Sequence, residues 1–304
     1  MPQEPSAQPV IAVVGAGAVG GLLAALLERA GAKVVAVARP ETARAITADG
    51  LTIRSQHFGD GVSRVPAVTA IPAGASVIIA TKAFALSAVA DDISRAQPTE
   101  VVSLLNGIEH LGVLRGAAPG ALVAGASVAV ETTRLGPTTI EHRSPFLRLT
   151  VPEHAADSVI AAAWRTAGLD VTVGGSDEDV LWTKLRFLAP LALLTSYWRL
   201  PVAAAVDRDP DLTGALLAEI AAIATSDGVP TDAAKLTRSL AGLPPTMRSS
   251  LQNDLEAGRP SELDAIGGAL VRRAQSAGTA SATLERLVDE LSSRAATGPA
   301  TSQG

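Results

Sequence analysis

The stretch Gly15-Ala16-Gly17-Ala18-Val19-Gly20 constrains this chain more than any other. It follows the apolar run Val10-Ile11-Ala12-Val13-Val14 and opens the helix-forming run Leu22 to Arg29, and Lys33-Val34-Val35-Ala36-Val37-Ala38 completes a βαβ unit. In that context Gly15 permits a tight turn, Gly17 removes the side chain that would block a pyrophosphate, and Gly20 lets the helix pack closely on the strand. The helix N-terminus then turns its dipole toward the anion. The bland alternative is an ordinary strand-to-helix turn in an Ala-rich chain. Because the strand before it and the helix after it are both present, residues 15 to 20 read as a dinucleotide site.

The second strand of the unit ends in Arg39. A cofactor with a free ribose 2′-hydroxyl calls for Asp or Glu at this end, whereas a 2′-phosphate calls for a cation, so Arg39 favours NADP over NAD. A solvated Arg at a strand end is the competing reading.

At 304 residues the chain has room for a large core and two domains. With 47% hydrophobic residues, 18% charged and a formal net charge of −5, it reads as a globular protein with no basic excess to recruit nucleic acid. Cysteine is absent, which removes disulfides, thiolate metal sites and cysteine nucleophiles. Met1 to Pro9 has neither a basic n-region nor an apolar h-region, and the expectation is a loose leader and a cytoplasmic protein. The longest apolar run, Phe187 to Trp198, is too short to span a bilayer.

Beyond the first βαβ unit, Leu51 to Arg54 and Arg64 to Val68 read as short strands, and Ser76 to Ala80 and Val101 to Leu105 as buried parallel strands by their β-branched runs. Ala83 to Ala96 between them has helical spacing, so strands and helices alternate as in an open doubly wound sheet. Ligands of such sheets sit beyond the carboxyl ends of the strands. That rule selects Thr81-Lys82, Asn106-Gly107, and Glu131 after a strand over Leu122 to Val130. Lys82 would neutralise a cofactor phosphate and Asn106 would hydrogen-bond a ribose or the nicotinamide, against readings as a solvated Lys and a turn-forming Asn-Gly. Thr138 to His142, Phe146 to Val151 and Leu169 to Val173 suit antiparallel strands that finish the first domain.

The expected division is an N-terminal Rossmann-type doubly wound α/β domain over 1–176 and an all-helical domain over 177–304, with Gly174-Gly175-Ser176 as hinge, Ser176 or Asp177 as N-cap, and a disordered tail over 295–304. Val180 to Leu200 is apolar nearly all round, marking a buried helix that Pro190 must kink or break. Further helices are expected at Leu212 to Gly228, Ala233 to Leu240, Met247 to Ala257, Leu263 to Ala277 and Ser281 to Arg294, with Gly258 and Gly278 ending two of them. Helices this rich in Leu and Ala make the second domain a candidate surface for a homodimer.

Lys184, in Trp182-Thr183-Lys184-Leu185, stands near the start of a helix otherwise committed to burial. An ammonium there must find partners or lose its proton more readily than in water, and such a lysine can protonate a carbonyl oxygen. The competing reading is a lysine that snorkels to the surface. Ser250 and Asp254 are four apart and share a helix face, where a hydroxyl and a carboxylate can meet a ligand. Glu262 reads first as a charge at a helix start, with Ser261 and Asp264 forming a capping box around it, and second as a group that orients Lys184. The histidines at 57, 110, 142 and 154 show no metal-ligand spacing and no Ser-His-Asp arrangement, and no metal is assigned.

From about residue 10 to about 291, these motifs in this order resemble the ketopantoate reductase (2-dehydropantoate 2-reductase) family: Gly15-x-Gly17-x-x-Gly20, Arg39, Lys82, Asn106-Gly107, Trp182-x-Lys184-Leu185, Ser249-Ser250-x-x-x-Asp254 and Ser261-Glu262-x-Asp264. The resemblance implies a Rossmann domain joined to a helical domain with NADPH between them, and a role in pantothenate biosynthesis. It implies Lys184 as proton donor, Glu262 as the acid that contacts it and the cofactor, Ser250 as a contact for the substrate carboxylate, and Lys82 and Asn106 as cofactor contacts.

The chain departs from the family where asparagines should hold the substrate's polar groups; those positions are Leu188, Ala192 and Met247. A buried site without partners for a hydroxyl binds that hydroxyl poorly. The expectation is an NADPH-dependent reductase of a more apolar 2-oxo acid, with ketopantoate retained if Arg186, Ser196 or Arg248 supplies substitute contacts. The alternative is an NADP(H)-binding regulatory protein with a non-catalytic pocket. An NAD-dependent dehydrogenase is disfavoured by Arg39.

Overall fold

The structure is a computed structural model and describes residues 9–296; the expected leader over 1–8 and the tail over 297–304 lie outside the described residues. Its contacts divide the chain into two units, the first with residues up to Leu105 and His110–Val180, the second with Asn106–Glu109 and Leu181 onward.

The first unit opens with β1 (Ile11–Val14), α1 (Ala18–Arg29), β2 (Val34–Val37), α2 (Pro40–Asp49), β3 (Leu51–Ser55), β4 (Gly61–Ser63), β5 (Ala67–Val68) and β6 (Ser76–Ile79). It continues with α3 (Leu86–Ala96), β7 (Glu100–Ser103), α4 (His110–Ala117) and β8 (Leu122–Gly125). Six strands form one sheet in the order β5-β2-β1-β6-β7-β8, every neighbour pair parallel. Strands β1, β6 and β7 are buried along their whole length, which is why they read as unbroken apolar runs rather than alternating ones. The chain builds outward from β1 through β2 to β5, then returns to the other side of β1 with β6. This reversal puts the topological switch, where ligands of open α/β sheets bind, at the carboxyl ends of β1 and β6.

The remaining strands are β9 (Ser127–Ala129), β10 (Thr132–Arg134), β11 (Thr139–His142) and β12 (Arg148–Val151), then α5 (Val159–Thr166) and β13 (Asp170–Val173). The expected antiparallel finish forms only in part: β10 pairs antiparallel with β11 and β9 with β12, but both sheets are mixed. One sheet runs β10-β11-β3-β4 with β11 parallel to β3, and another runs β13-β12-β9 with β12 parallel to β13. Helix α5 supplies the crossover that a parallel pair requires. Its first amides are satisfied at long range: the N–H groups of Val159 and Ile160 donate to the buried Glu100 carboxylate at 3.0 and 2.7 Å, and Ala161 donates to Ser158 Oγ at 3.1 Å. Helix α1 packs under the second sheet so closely that a Cβ on Gly21 would lie 2.4 Å from Ile140 Cδ1.

Helix α6 (Asp177–Trp198) begins in the first unit and continues into the second. Ser176 Oγ accepts from the Asp179 amide while the Asp179 carboxylate accepts from the Ser176 amide, a capping box that fixes the start. The first unit runs to Val180 rather than ending at residue 176, because the buried Asp177 accepts from the Gly125 amide and Arg115, each at 2.6 Å. Pro190 sits inside α6 without breaking it. The residues around it are buried, Ala189, Ala192, Leu193 and Leu194 at 0% exposure, and that packing offsets the missing hydrogen bond.

The second unit adds α7 (Val202–Asp207), α8 (Pro210–Ser226), α9 (Ala233–Ala241), α10 (Ser250–Glu256), a π turn over Asp264–Gly268 leading into α11 (Ala269–Ala277), and α12 (Ala282–Ala296). Gly258 and Gly278 take the left-handed conformation expected after α10 and α11, with φ of 62° and 65°. Two expectations are corrected. The tail expected from 295 begins as helix, since α12 reaches Ala296. Met247 lies before α10, in a loop whose amide donates to Pro244 O, because Ser249 caps the helix through the Gln252 amide.

Candidate active site

The glycine loop occupies the switch point of the parallel sheet. Gly15 has φ +97°, and a Cβ there would lie 2.8 Å from Thr81 Cγ2 and 2.9 Å from Ala80 O; on Gly20 it would lie 2.1 Å from Gly15 O. Both glycines are therefore demanded by the protein itself. Gly17 is not: its φ is −79°, and nothing lies within 4 Å of a Cβ built on it. Space kept open where the fold does not need it is what a ligand passing over the loop requires. The amides point the same way. The first turns of α5, α6, α8, α9, α10 and α12 are each met by a Ser, Asp or Glu side chain. Helix α1 has Gly17 at its N-cap, no side-chain cap and no acid in its first turn, so no side chain meets the Ala18, Val19 and Gly20 amides at the positive end of the dipole. The cradle fits a dinucleotide pyrophosphate.

Arg39 is exposed and caps the start of α2 directly after β2. A second cation, not picked out from the sequence, belongs with it. Arg134 on β10 stands opposite Ile140, the residue that packs on Gly21, and its guanidinium is tied to Gly136 O through Nε at 2.9 Å. Burial first, and the Arg39 charge second, lower the Arg134 pKa from its ordinary value. Like charges brought together in this way are stabilised by an anion. Lys82 is exposed and opens a 3-10 turn over Ala83–Ala85 just past β6. Glu131 loses the premise on which it was selected. The parallel sheet ends at Gly125 with β8, Glu131 follows β9 of a different sheet, and its exposed carboxylate lies 3.9 Å from Arg143.

The second unit gathers Lys184, Glu262 and Asn106. Lys184 retains partial solvent access, yet enough protein surrounds its ammonium to lower the pKa from 10.5 to about 8; desolvation drives the shift and the Glu262 charge opposes it. Glu262 is 5% exposed and accepts from Asn106 Nδ2 at 3.1 Å, across 156 residues of sequence. The capping box expected around Glu262 does not form, because the Asp264 carboxylate is taken by Arg272 Nη1 at 2.8 Å. Instead of capping a helix, Glu262 places its charge where it acts on Lys184. Gly107 serves the same cluster: with φ +91°, a Cβ on it would lie 2.4 Å from Ala265 O.

The residues assigned to substrate are dispersed. Lys184, Leu188 and Ala192 share an i, i+4, i+8 stripe of α6, but Leu188 is partly exposed and Ala192 at 0% presents no surface to a ligand. Ser250 is exposed at the first position of α10, and Asp254, one turn on, is already paired with Arg259 Nε at 3.0 Å. The substitute contacts are engaged elsewhere or turned away. Arg248 pairs with Glu256, Arg186 donates to Thr231 Oγ1 at 3.4 Å, and Ser196 lines a separate small cavity with Gln252 and Arg199. Among the described residues no His, Asp and Glu side chains gather to hold a metal ion, and no helix is long and apolar enough to cross a membrane.

Comparison with known proteins identifies the fold and the family. The family model described as ketopantoate reductase PanE/ApbA matches residues 11–156, and the model for its C-terminal domain matches residues 178–295. An uncharacterised oxidoreductase of Bacillus subtilis, YkpB, is 28% identical over 92% of this chain and 96% of its own length. A crystal structure of a PanE/ApbA family ketopantoate reductase from Ralstonia eutropha superimposes with a TM-score of 0.86 at 29% identity, covering 95% of this chain and 99% of that one. D-Mandelate dehydrogenase, solved with NADH and anilino(oxo)acetate, shares the fold with a TM-score of 0.83 at 20% identity, over 95% of this chain and 99% of its own.

Proposed function

This chain belongs to the ketopantoate reductase family, a family of oxidoreductases, and on that premise we propose that it is an NADPH-dependent reductase of a small 2-oxo acid, giving the 2-hydroxy acid. The observation that carries the reading is Lys184: a lysine with its pKa lowered to about 8, beside the buried carboxylate of Glu262. At neutral pH such a lysine is mostly protonated yet gives up its proton far more readily than an ordinary one.

In this reading the Ala18, Val19 and Gly20 amides hold the pyrophosphate, with Gly17 leaving it room, and Arg39 with Arg134 takes the 2′-phosphate. NADPH, when bound, supplies hydride to the carbonyl carbon. Lys184 Nζ delivers the proton to the carbonyl oxygen, and the proton is regained from solvent after release. Glu262 keeps that nitrogen charged between turnovers, and Asn106 holds Glu262 in place. Ser250 offers its hydroxyl to the substrate carboxylate. Leu188 and Met247, with the buried Ala192 behind them in sequence pattern only, give the substrate side no amide partners for a hydroxyl, which favours a 2-oxo acid with an apolar side chain over ketopantoate.

The same three apolar positions favour a second reading, an NADP(H)-binding regulatory protein. NADPH oxidation across a panel of 2-oxo acids, wild type beside Lys184→Ala, separates the two. The reductase reading expects turnover that Lys184→Ala lowers by a factor on the order of 100 or more, with NADPH affinity retained. Tight NADPH binding without turnover of any 2-oxo acid would overturn it in favour of the regulatory protein, and a kcat/KM for ketopantoate at or above that for hydroxyl-free 2-oxo acids would overturn the apolar preference alone.

A further inference from the structure

The four residues Asn106–Glu109 belong with the helical unit although the chain on both sides of them belongs to the other. Three attachments hold them there. At one end Asn106 Nδ2 donates to Glu262 at 3.1 Å. In the middle the backbone of Gly107 lies so close to Ala265 that no side chain fits between them. At the other end Arg272 of α11 donates to Glu109 through Nε at 3.0 Å and Nη2 at 2.7 Å, and through Nη1 to Asp264 Oδ1 at 2.8 Å.

Arg272 thus uses both edges of its guanidinium, one on a carboxylate 163 residues away and the other on the π turn that follows Glu262. The fold makes room for this fork. A Cβ on Gly268 would lie 2.4 Å from Asp264 Oδ1 and 3.1 Å from Arg272 Nη1. A lysine could not replace the fork, because one ammonium has no fixed pair of edges to present to two carboxylates. The arginine, Glu109 and Asp264 side chains are 46%, 41% and 82% exposed, so water screens the ion pairs and they add little to folding stability. Their geometry, by contrast, is specific.

We propose that Arg272 is a positioning residue: by clamping Glu109 to Asp264 it holds the Asn106–Glu109 segment against the π turn and thereby keeps the Asn106 amide on Glu262. The inference rests on the reductase reading for its catalytic consequence, but the clamp itself is testable through cofactor affinity, since Asn106 and Glu262 are assigned to cofactor contact.

The experiment measures the dissociation constant for NADPH by fluorescence, and kcat/KM where a substrate is in hand, for Arg272→Gln, Arg272→Lys, Glu109→Gln, Asp264→Asn, Asn106→Ala and the Arg272→Gln/Asn106→Ala double variant. Arg272→Gln and Glu109→Gln should each weaken NADPH binding by about 5- to 10-fold, Arg272→Lys should not restore it, and Asp264→Asn should have the smaller effect because the grip on Glu109 survives. In the Asn106→Ala background Arg272→Gln should change nothing further. A merely structural role would multiply in the double variant and would appear as a large loss of thermal stability. Unchanged NADPH affinity in Arg272→Gln, or an undiminished effect without Asn106, overturns the inference. Absence of turnover in wild type with the coupling in NADPH binding intact would overturn only the reductase reading.

Discussion

Replacing Glu262 by Gln keeps the shape of the site and the acceptor for Asn106 while removing the charge that opposes the desolvation of Lys184. With Glu262 present the Lys184 pKa is about 8 against an ordinary 10.5. Without it desolvation acts alone, and the value must fall below 8. An opposite charge within roughly 4–6 Å, at an effective dielectric of about 20, is worth about 3–4 kcal/mol, an upper bound of about two to three pH units at 1.36 kcal/mol per unit. Solvent access at Lys184 trims this, so the expected displacement is about one to two units. The assay is the pH dependence of kcat for reduction. A general acid must be protonated, so wild type should hold its rate below pH 8 and lose it above, while Glu262→Gln should begin to fall one to two units earlier. The variant would then be most impaired near pH 8 and nearly restored in mild acid. An alkaline limb that stays in place or moves upward, whatever happens to the maximal rate, would refute the account of Lys184 as an acid held in its charged form by Glu262.

Lys184→Met should also change the pH dependence of stability. The folded pKa lies below the unfolded one, so between about pH 8 and 10.5 the unfolded chain binds more protons and wild-type stability gains with rising pH, by about 3 kcal/mol at the full shift; urea midpoints measured across that window should show the gain in wild type and its loss in the variant. Gly17→Ala and Gly20→Ala should split cleanly. The first leaves thermal stability within a degree or two and weakens NADPH binding, because its Cβ meets open space, whereas the second places a Cβ 2.1 Å from Gly15 O and should cost about 1–3 kcal/mol of stability. Arg134→Gln, like Arg39→Ala, should weaken binding of NADPH by about 10- to 100-fold and leave NADH unchanged in paired titrations, the cost of one charge-assisted phosphate contact. Equal loss for both cofactors would remove Arg134 from the 2′-phosphate.

The parallel sheet was legible in the chain because strands buried on both faces must be written as unbroken apolar runs, and β1, β6 and β7 are. The helices that were not anticipated, α2, α4, α5 and α7, lack that advantage. Helix α4 carries Gly112 and Gly116, and α5 begins with β-branched residues and depends on Glu100, about 60 residues earlier, to satisfy its first amides. For β12 and β13 the antiparallel expectation failed for the same reason, since an unseen α5 leaves them looking like a hairpin. In the site, local chemistry identified Lys184 and the glycine loop. Arg134 and Arg272 were invisible, because Arg39 and Glu109, the groups that give them their proposed roles, stand far away in sequence and nothing in a single arginine announces a fork. Glu262 shows the opposite failure. Its neighbours spell a capping box, but Asp264 is drawn off by Arg272, and only the folded chain shows which partner wins.

The choice between an enzyme and a cofactor sensor turns on what a burdened lysine is for. Desolvation makes the charged form of Lys184 costly, and the depressed pKa corresponds to a net cost of about 3 kcal/mol after the Glu262 charge has offset part of it. A methionine or leucine in the same turn of α6 would relieve it and suit a helix whose neighbours are buried. The chain instead keeps the lysine, sets Glu262 beside it and fixes Glu262 with Asn106 at 3.1 Å. A protein that only sensed NADPH would need the glycine cradle and the Arg39 end of β2, none of which calls for a proton donor. The three apolar replacements leave Lys184, Glu262 and Asn106 themselves in place, so they bear on which substrate fits rather than on the proton donor: Ala192 is fully buried, and Met247 sits in the loop before α10. A cost retained together with the groups that make it useful argues for turnover.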